Sequence, residues 1–148
     1  MKLPFSGGCS CGSVRYECAA KPAFSWNCHC TDCQHAGGSA YCPVMYVPKA
    51  ALTVTGDAKY YRVIAESGRW VDRGICTSCG SNLFILAELV PDLQGLWAGS
   101  LHDTSNFKPQ VHVWTRSAPP WSSLSADLKK IDVAPNEEQF KALLAEVV

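Results

Sequence analysis

The residues of this 148-residue chain best suited to chemistry are its nine cysteines. Seven of them are grouped: C-x-C at Cys9 and Cys11, C-x-C-x-x-C at Cys28, Cys30 and Cys33, and C-x-x-C at Cys76 and Cys79. Cys18 and Cys42 stand alone within strand-like runs and read as buried, inert thiols. Two thiolates one or two residues apart can reach one ion at about 2.3 Å with only a tight turn between them. The glycine after the second cysteine in "CSCGS" and "CTSCGS" lets the backbone bend around such an ion. A redox dithiol of the thioredoxin kind opens a helix, whereas "CTSCG" runs into "SNLFIL", a strand pattern. A disulfide scaffold would be shorter, would follow a secretory signal and would carry an even number of cysteines. Metal binding is the chemistry that fits these spacings.

Seven grouped thiols make one complete tetrahedral site and one site short of a ligand. Spacing alone leaves the partition open. In one arrangement Cys9 and Cys11 join Cys76 and Cys79, which ties the start of the chain to its middle as a folding staple does. In the other, two of Cys28, Cys30 and Cys33 join another pair. The contiguity of the triple favours the first arrangement and gives Cys28, Cys30 and Cys33 a vacant fourth position. All-cysteine sites take iron as well as zinc. A metal with three thiolates is a weaker Lewis acid than one with three histidines, yet it can hold a fourth thiol as thiolate at neutral pH. The expectation is a site whose vacancy can hold a fourth thiol as thiolate.

Other polar residues near the triple have less defined roles. His29 alternates between two cysteines, so its side chain should point away from the metal and act at most behind it. His35 has three readings: solvated surface, proton carrier, or the fourth ligand that closes the site. Asp32 and Gln34 read as loop-orienting. His112 and Trp114 alternate along one strand face, as pocket wall or as ordinary half-buried face. Arg62 and Arg73 could meet a substrate carboxylate, although arginines on strands are usually only solvated. Trp26, Tyr41, Trp70, Trp97 and Trp121 read as core.

The elements that must position these residues are mostly strands. Short runs rich in β-branched and aromatic residues, bounded by turn formers, predict strands over 13–18, 23–28, 40–47, 52–56, 59–64, 69–75, 82–86, 95–99 and 111–115. "TGDAKY" and "AESGR" read as hairpin connections. "TDCQHAGG" reads as one helical turn stopped by Gly37 and Gly38. A C-terminal amphipathic helix is predicted over 136–147, capped by Asn136, favoured by Glu137 and Glu138, and apolar along Phe140, Leu143, Leu144 and Val147. Residues 117–135 read as a looser connection.

Length predicts a single domain over 1–148. The 13 basic and 13 acidic residues balance, and no basic block points to nucleic acid or to a membrane surface. "MKLPFSGG" has no apolar signal region, so a cytoplasmic protein is expected.

The order of motifs "GGCSCGSVRY", "NCHCTDCQHAGG", "DRGICTSCGSNL" and "FKPQVHVWTRSAPPW", over roughly residues 6–121, resembles the glutathione-dependent formaldehyde-activating enzyme family, whose domain also occurs in centromere protein V. The resemblance implies a mainly β fold, a small zinc-stabilised β-sandwich-like or β-tent domain with the C-terminal helix added. It implies two zinc ions: a structural one on Cys9, Cys11, Cys76 and Cys79, and a catalytic one on Cys28, Cys30 and Cys33. The implied activity is that of a carbon–sulfur lyase joining a small-molecule thiol, glutathione in the namesake reaction, to formaldehyde. Ile75 stands where the family often has an aromatic residue, a difference expected to affect packing alone. The alternative function is a non-catalytic, zinc-stabilised binding module.

Overall fold

In a computed structural model of the chain, residues 2–146 are described. Strands form wherever β-branched and aromatic residues alternate. They are β1 Phe5–Gly8, β2 Arg15–Cys18, β3 Phe24–Cys28, β4 Cys42–Pro48, β5 Leu52–Thr55, β6 Ala58–Ile64, β7 Trp70–Cys76, β8 Asn82–Ala87, β9 Leu93–Trp97, β10 Val111–Val113 and β11 Lys129–Ile131. Two helices, α1 Thr31–Gly37 and α2 Glu137–Ala145, complete the described regular structure apart from single 3-10 turns. The strands make two sheets. One has three strands in the order β1-β2-β5, and the other has eight in the order β11-β10-β3-β4-β9-β8-β7-β6. The large sheet is antiparallel from β3 to β6, and β10 runs parallel to both β3 and β11.

The centre of the large sheet is apolar on both faces, because each face is covered there, whereas the edge strands β6 and β11 are mostly exposed. Along β4, Cys42, Val44 and Tyr46 join one core, whereas Met45 and Val47 join another. This is the period-two alternation of a strand read on both sides. The second core lies between the sheets, where Phe5, Val14 and Tyr16 from the small sheet's side meet Met45, Phe84 and Leu96 from the large one. On the opposite face α2 docks through Phe140 and Leu143. Phe140 meets the Phe24 ring edge-on at 5.1 Å, and Phe24 stacks on Tyr46 at 4.6 Å.

The helix forms where expected and begins with a capping box: the Asn136 side chain accepts from Gln139 N–H, and Gln139 Oε1 accepts from Asn136 N–H. Leu144 is 41% exposed, so the docking stripe is narrower than the spacing suggests. Val147, the end of the predicted stripe, lies outside the described residues.

One connection differs from expectation. "TGDAKY" is not a hairpin: β5 pairs with β2 in the small sheet, and β6 pairs with β7 in the large one. The chain changes sheets at Gly56, whose φ is +85° and whose Cα passes so close to the Ser13 carbonyl that no Cβ fits. "AESGR" does close a hairpin, with Gly68 N–H bonded to Ala65 O at 2.8 Å. Strands β1 and β11 were not predicted. The first is half glycine, with Gly7 pressed under the Tyr16 ring, and the second carries two lysines. Trp121 was expected in the core and is 74% exposed.

Candidate active site

The topology brings the seven grouped cysteines into two separate sets. Cys9 and Cys11 lie in the turn after β1, where Gly12 takes φ +86°. Cys76 ends β7, and Cys79 sits in the following turn, closed by Gly80 N–H to Cys76 O at 2.9 Å with Gly80 at φ +73°. The four sulfurs lie within 4.8 Å of one another. Cys9 and Cys11 are 3.5 Å apart, and Cys11 and Cys76 are 3.8 Å apart. Four bonds of about 2.3 Å in a tetrahedron give sulfur–sulfur edges of about 3.8 Å, so this donor set fits a tetrahedral metal. Burial opposes ionisation of Cys9, but hydrogen bonds from Val14 N–H and from Ser13, Cys11 and Cys76 outweigh it and bring the thiol down to about 5. Because these turns belong to different sheets, a metal held by this set would tie the sheets together.

The second set is Cys28, Cys30 and Cys33, all buried, with sulfurs again within 4.8 Å of one another. Cys28 is the last residue of β3, held between Cys42 on β4 and Val113 on β10. Cys30 is the N-cap of α1, and its sulfur accepts from Cys33 N–H at 3.4 Å. Cys33 follows in the first turn of α1, which extends over seven residues and stops at Gly38 in the left-handed region. A strand end, a cap and a helix turn thus converge on one point. Thiols from Cys28, Cys30 and Cys42 hydrogen-bond to Cys33, and with the Arg73 guanidinium nearby they hold its thiol well below the ordinary range. The hydrogen-bonding that favours a Cys33 thiolate pushes Cys28 well up. Three thiols sharing negative charge beside a cation are the donors a metal would displace protons from.

This set lies at the wall of a solvent-open cleft of about 120 Å³. Trp26, Tyr46, Val44, Ile85 and Val113 supply apolar wall, and Trp114, at φ +60°, turns its ring in as well. The β6–β7 loop forms a rim. Glu66 N–H donates to Asp32 Oδ2 at 3.2 Å, and the Glu66 carboxylate pairs with Arg116.

The remaining polar residues sort by position. His29 faces away from the set, fully buried, with Nε2 2.9 Å from His112 Nδ1. Burial and His112 push it down to about 4, so it is neutral at neutral pH. His112 and Trp114 therefore do not share a face, because the strand ends at Val113 and Trp114 turns into the cleft. Gln34 fixes the loop by donating to His29 O and Ser117 O at 2.7 and 2.8 Å. His35 is exposed on α1 and belongs to neither set. Arg62 is exposed and paired with Asp72 at 2.7 Å. Arg73 is buried in the cleft wall, with Nη2 3.9 Å from Cys33 Sγ. Cys42 is buried as expected, but against the triple, where burial and the Cys33 charge push its thiol well up.

The signal for Arg73 is strand parity. It shares a face of β7 with Val71, opposite Ile85 and Ala87 on β8, and all four line the cleft.

Comparison with known proteins places this arrangement. A protein of Fusarium vanettenii and one of Penicillium rubens, both provisionally named glutathione-dependent formaldehyde-activating enzymes, are 30% and 32% identical over 97 residues, 62% of this chain. The chain spans about half the length of these relatives, 52% and 50%. A crystal structure of a Rhodobacter sphaeroides protein shares the fold, with a TM-score of 0.53 and 20% identity over 66% of this chain and 87% of that one. The family model described as glutathione-dependent formaldehyde-activating enzyme matches residues 4–117, and the chain belongs to that family.

Proposed function

We propose that the protein is a zinc-dependent carbon–sulfur lyase that adds a small-molecule thiol to a small aldehyde such as formaldehyde, or removes it. The single observation that carries this reading is the separation of the cysteines. Four have their sulfurs gathered at the junction of the sheets, and three form a set of their own in the wall of a cleft. Cys9, Cys11, Cys76 and Cys79 would hold a structural ion, and Cys28, Cys30 and Cys33 a catalytic one. When bound at the second set, the metal supplies an open coordination position that keeps an incoming thiol ionised at neutral pH.

The chain's own residues do the rest. The walls from Trp26, Tyr46 and Trp114 limit water around the reacting sulfur. Gln34 holds the backbone between Cys28 and Cys33 through His29 O, fixing the direction of the three sulfurs. In the addition, the substrate sulfur forms a bond to the carbonyl carbon. The carbon–oxygen π pair moves to oxygen, which then takes a proton from solvent, and elimination runs the same path backwards. Glutathione is the thiol the family description supports. The chain forms one domain in this reading, and the cytoplasm, which keeps thiols reduced, suits its nine free cysteines.

Exchange NMR on glutathione and formaldehyde tests the activity. The zinc-loaded protein should speed interconversion of free and hydroxymethylated thiol well above the uncatalysed rate, and Cys30→Ser should abolish the effect. An unchanged rate with every thiol and aldehyde tried would sink the proposal.

A further inference from the structure

Arg73 is the one buried cation of the cleft wall, 9% exposed. Among the described residues its guanidinium makes no hydrogen bond to oxygen. Nη2 reaches only the Cys33 sulfur at 3.9 Å, and Nε is buried with no partner. Arg62, which lies across the hairpin from Asp72, the residue before Arg73, is by contrast exposed and closed in a two-pronged pair with Asp72. A guanidinium keeps its charge when buried and is costly to bury without an anion. A divalent ion on three thiolates carries a net charge of about −1, which offsets Arg73 but leaves most of its five donors unused. The rest of the wall near it, from Val71, Ile85 and Ala87, is apolar.

Building on the open-site reading, we propose that Arg73 is a receptor for an anionic oxygen carried close to the substrate sulfur, so that the site selects thiols bearing a carboxylate within a few bonds of sulfur. The short separation between the guanidinium and the cysteine set restricts the link to a short one. A planar fork facing a carboxylate gives two parallel charge-assisted hydrogen bonds, and the low-dielectric wall strengthens them. Short mercapto acids with an apolar remainder match both the cation and the surrounding surface.

Calorimetric titration of the full-length, zinc-loaded protein with mercaptoacetate and with 2-mercaptoethanol tests this. Wild type should bind mercaptoacetate about tenfold or more tightly than 2-mercaptoethanol. Arg73→Gln should bring the ratio close to about one while both thiols still bind, and Arg73→Lys should retain an intermediate preference. A purely structural role for Arg73 would weaken both thiols alike and leave the ratio in place. Equal affinities in wild type, a measurement independent of whether any variant folds, would overturn the proposal and spare the open site. A preference that persists in Arg73→Gln would do the same. Failure of both thiols to bind wild type would overturn the receptor and the open site together.

Discussion

At the level of single side chains, the proposed function divides the cysteines into working and structural ones. Cys30 touches the cleft and caps a short helix, so Cys30→Ser should cost one of two zinc ions and only a few degrees of melting temperature. Inductively coupled plasma analysis with a thermal melt checks this, and global unfolding would show the triple to be a staple. His35→Ala should leave two ions per chain, because His35 is exposed on α1 and its ring lies outside both sulfur sets. Loss of one ion would make it a fourth ligand. The cysteine groups were legible because metal binding imposes spacings that a buried hydrophobe does not need. Arg73 reads as a possible carboxylate partner but could not be told apart from Arg62, since strand residues look alike in sequence whichever way they face. Only the register that places Arg73 opposite Ile85 puts it in the cleft, while Asp72 meets Arg62 outside. Cys42 reads as buried, but its place against the triple was hidden for the same reason: its pairing with Cys28 is a long-range fact.

Elements were read correctly where their pattern is local. The predicted runs became strands β2 to β10, and α2 starts at the predicted cap, because alternation and capping are fixed by near neighbours. Asn136→Ala should destabilise the protein by about 1 kcal/mol in urea, a loss confined to the capping box. Sheet membership was not legible. A glycine between two strands looks the same whether it closes a hairpin or hands the chain to another sheet, and Gly56 does the latter. At φ +85° against the Ser13 carbonyl, Gly56→Ala should cost about 2 kcal/mol or more by the same measurement. Gly68→Ala, with the same sign of φ but open space around it, should cost less. Equal losses would mean that the close approach at the sheet change carries no cost.

The molecule as a whole is two sheets with one donor set at their junction and another in a cleft. No described helix is long and apolar enough to cross a membrane. The turns after β1 and β7 belong to different sheets, and Ser10 N–H also reaches Ser81 Oγ at 3.2 Å, so the four-cysteine set should dominate stability. Cys79→Ser should therefore lower the melting temperature by roughly 10 °C or more, well beyond the effect of Cys30→Ser. The central claim is that the two sets do different work, one closed and one open. Native mass spectrometry of the zinc-loaded chain titrated with glutathione and with mercaptoacetate tests it most directly. The expected result is two zinc ions and one bound thiol in wild type, and one zinc ion with no bound thiol in folded Cys30→Ser. A wild-type protein that holds two zinc ions yet takes no thiol, or a one-zinc variant that still takes it, would contradict the account.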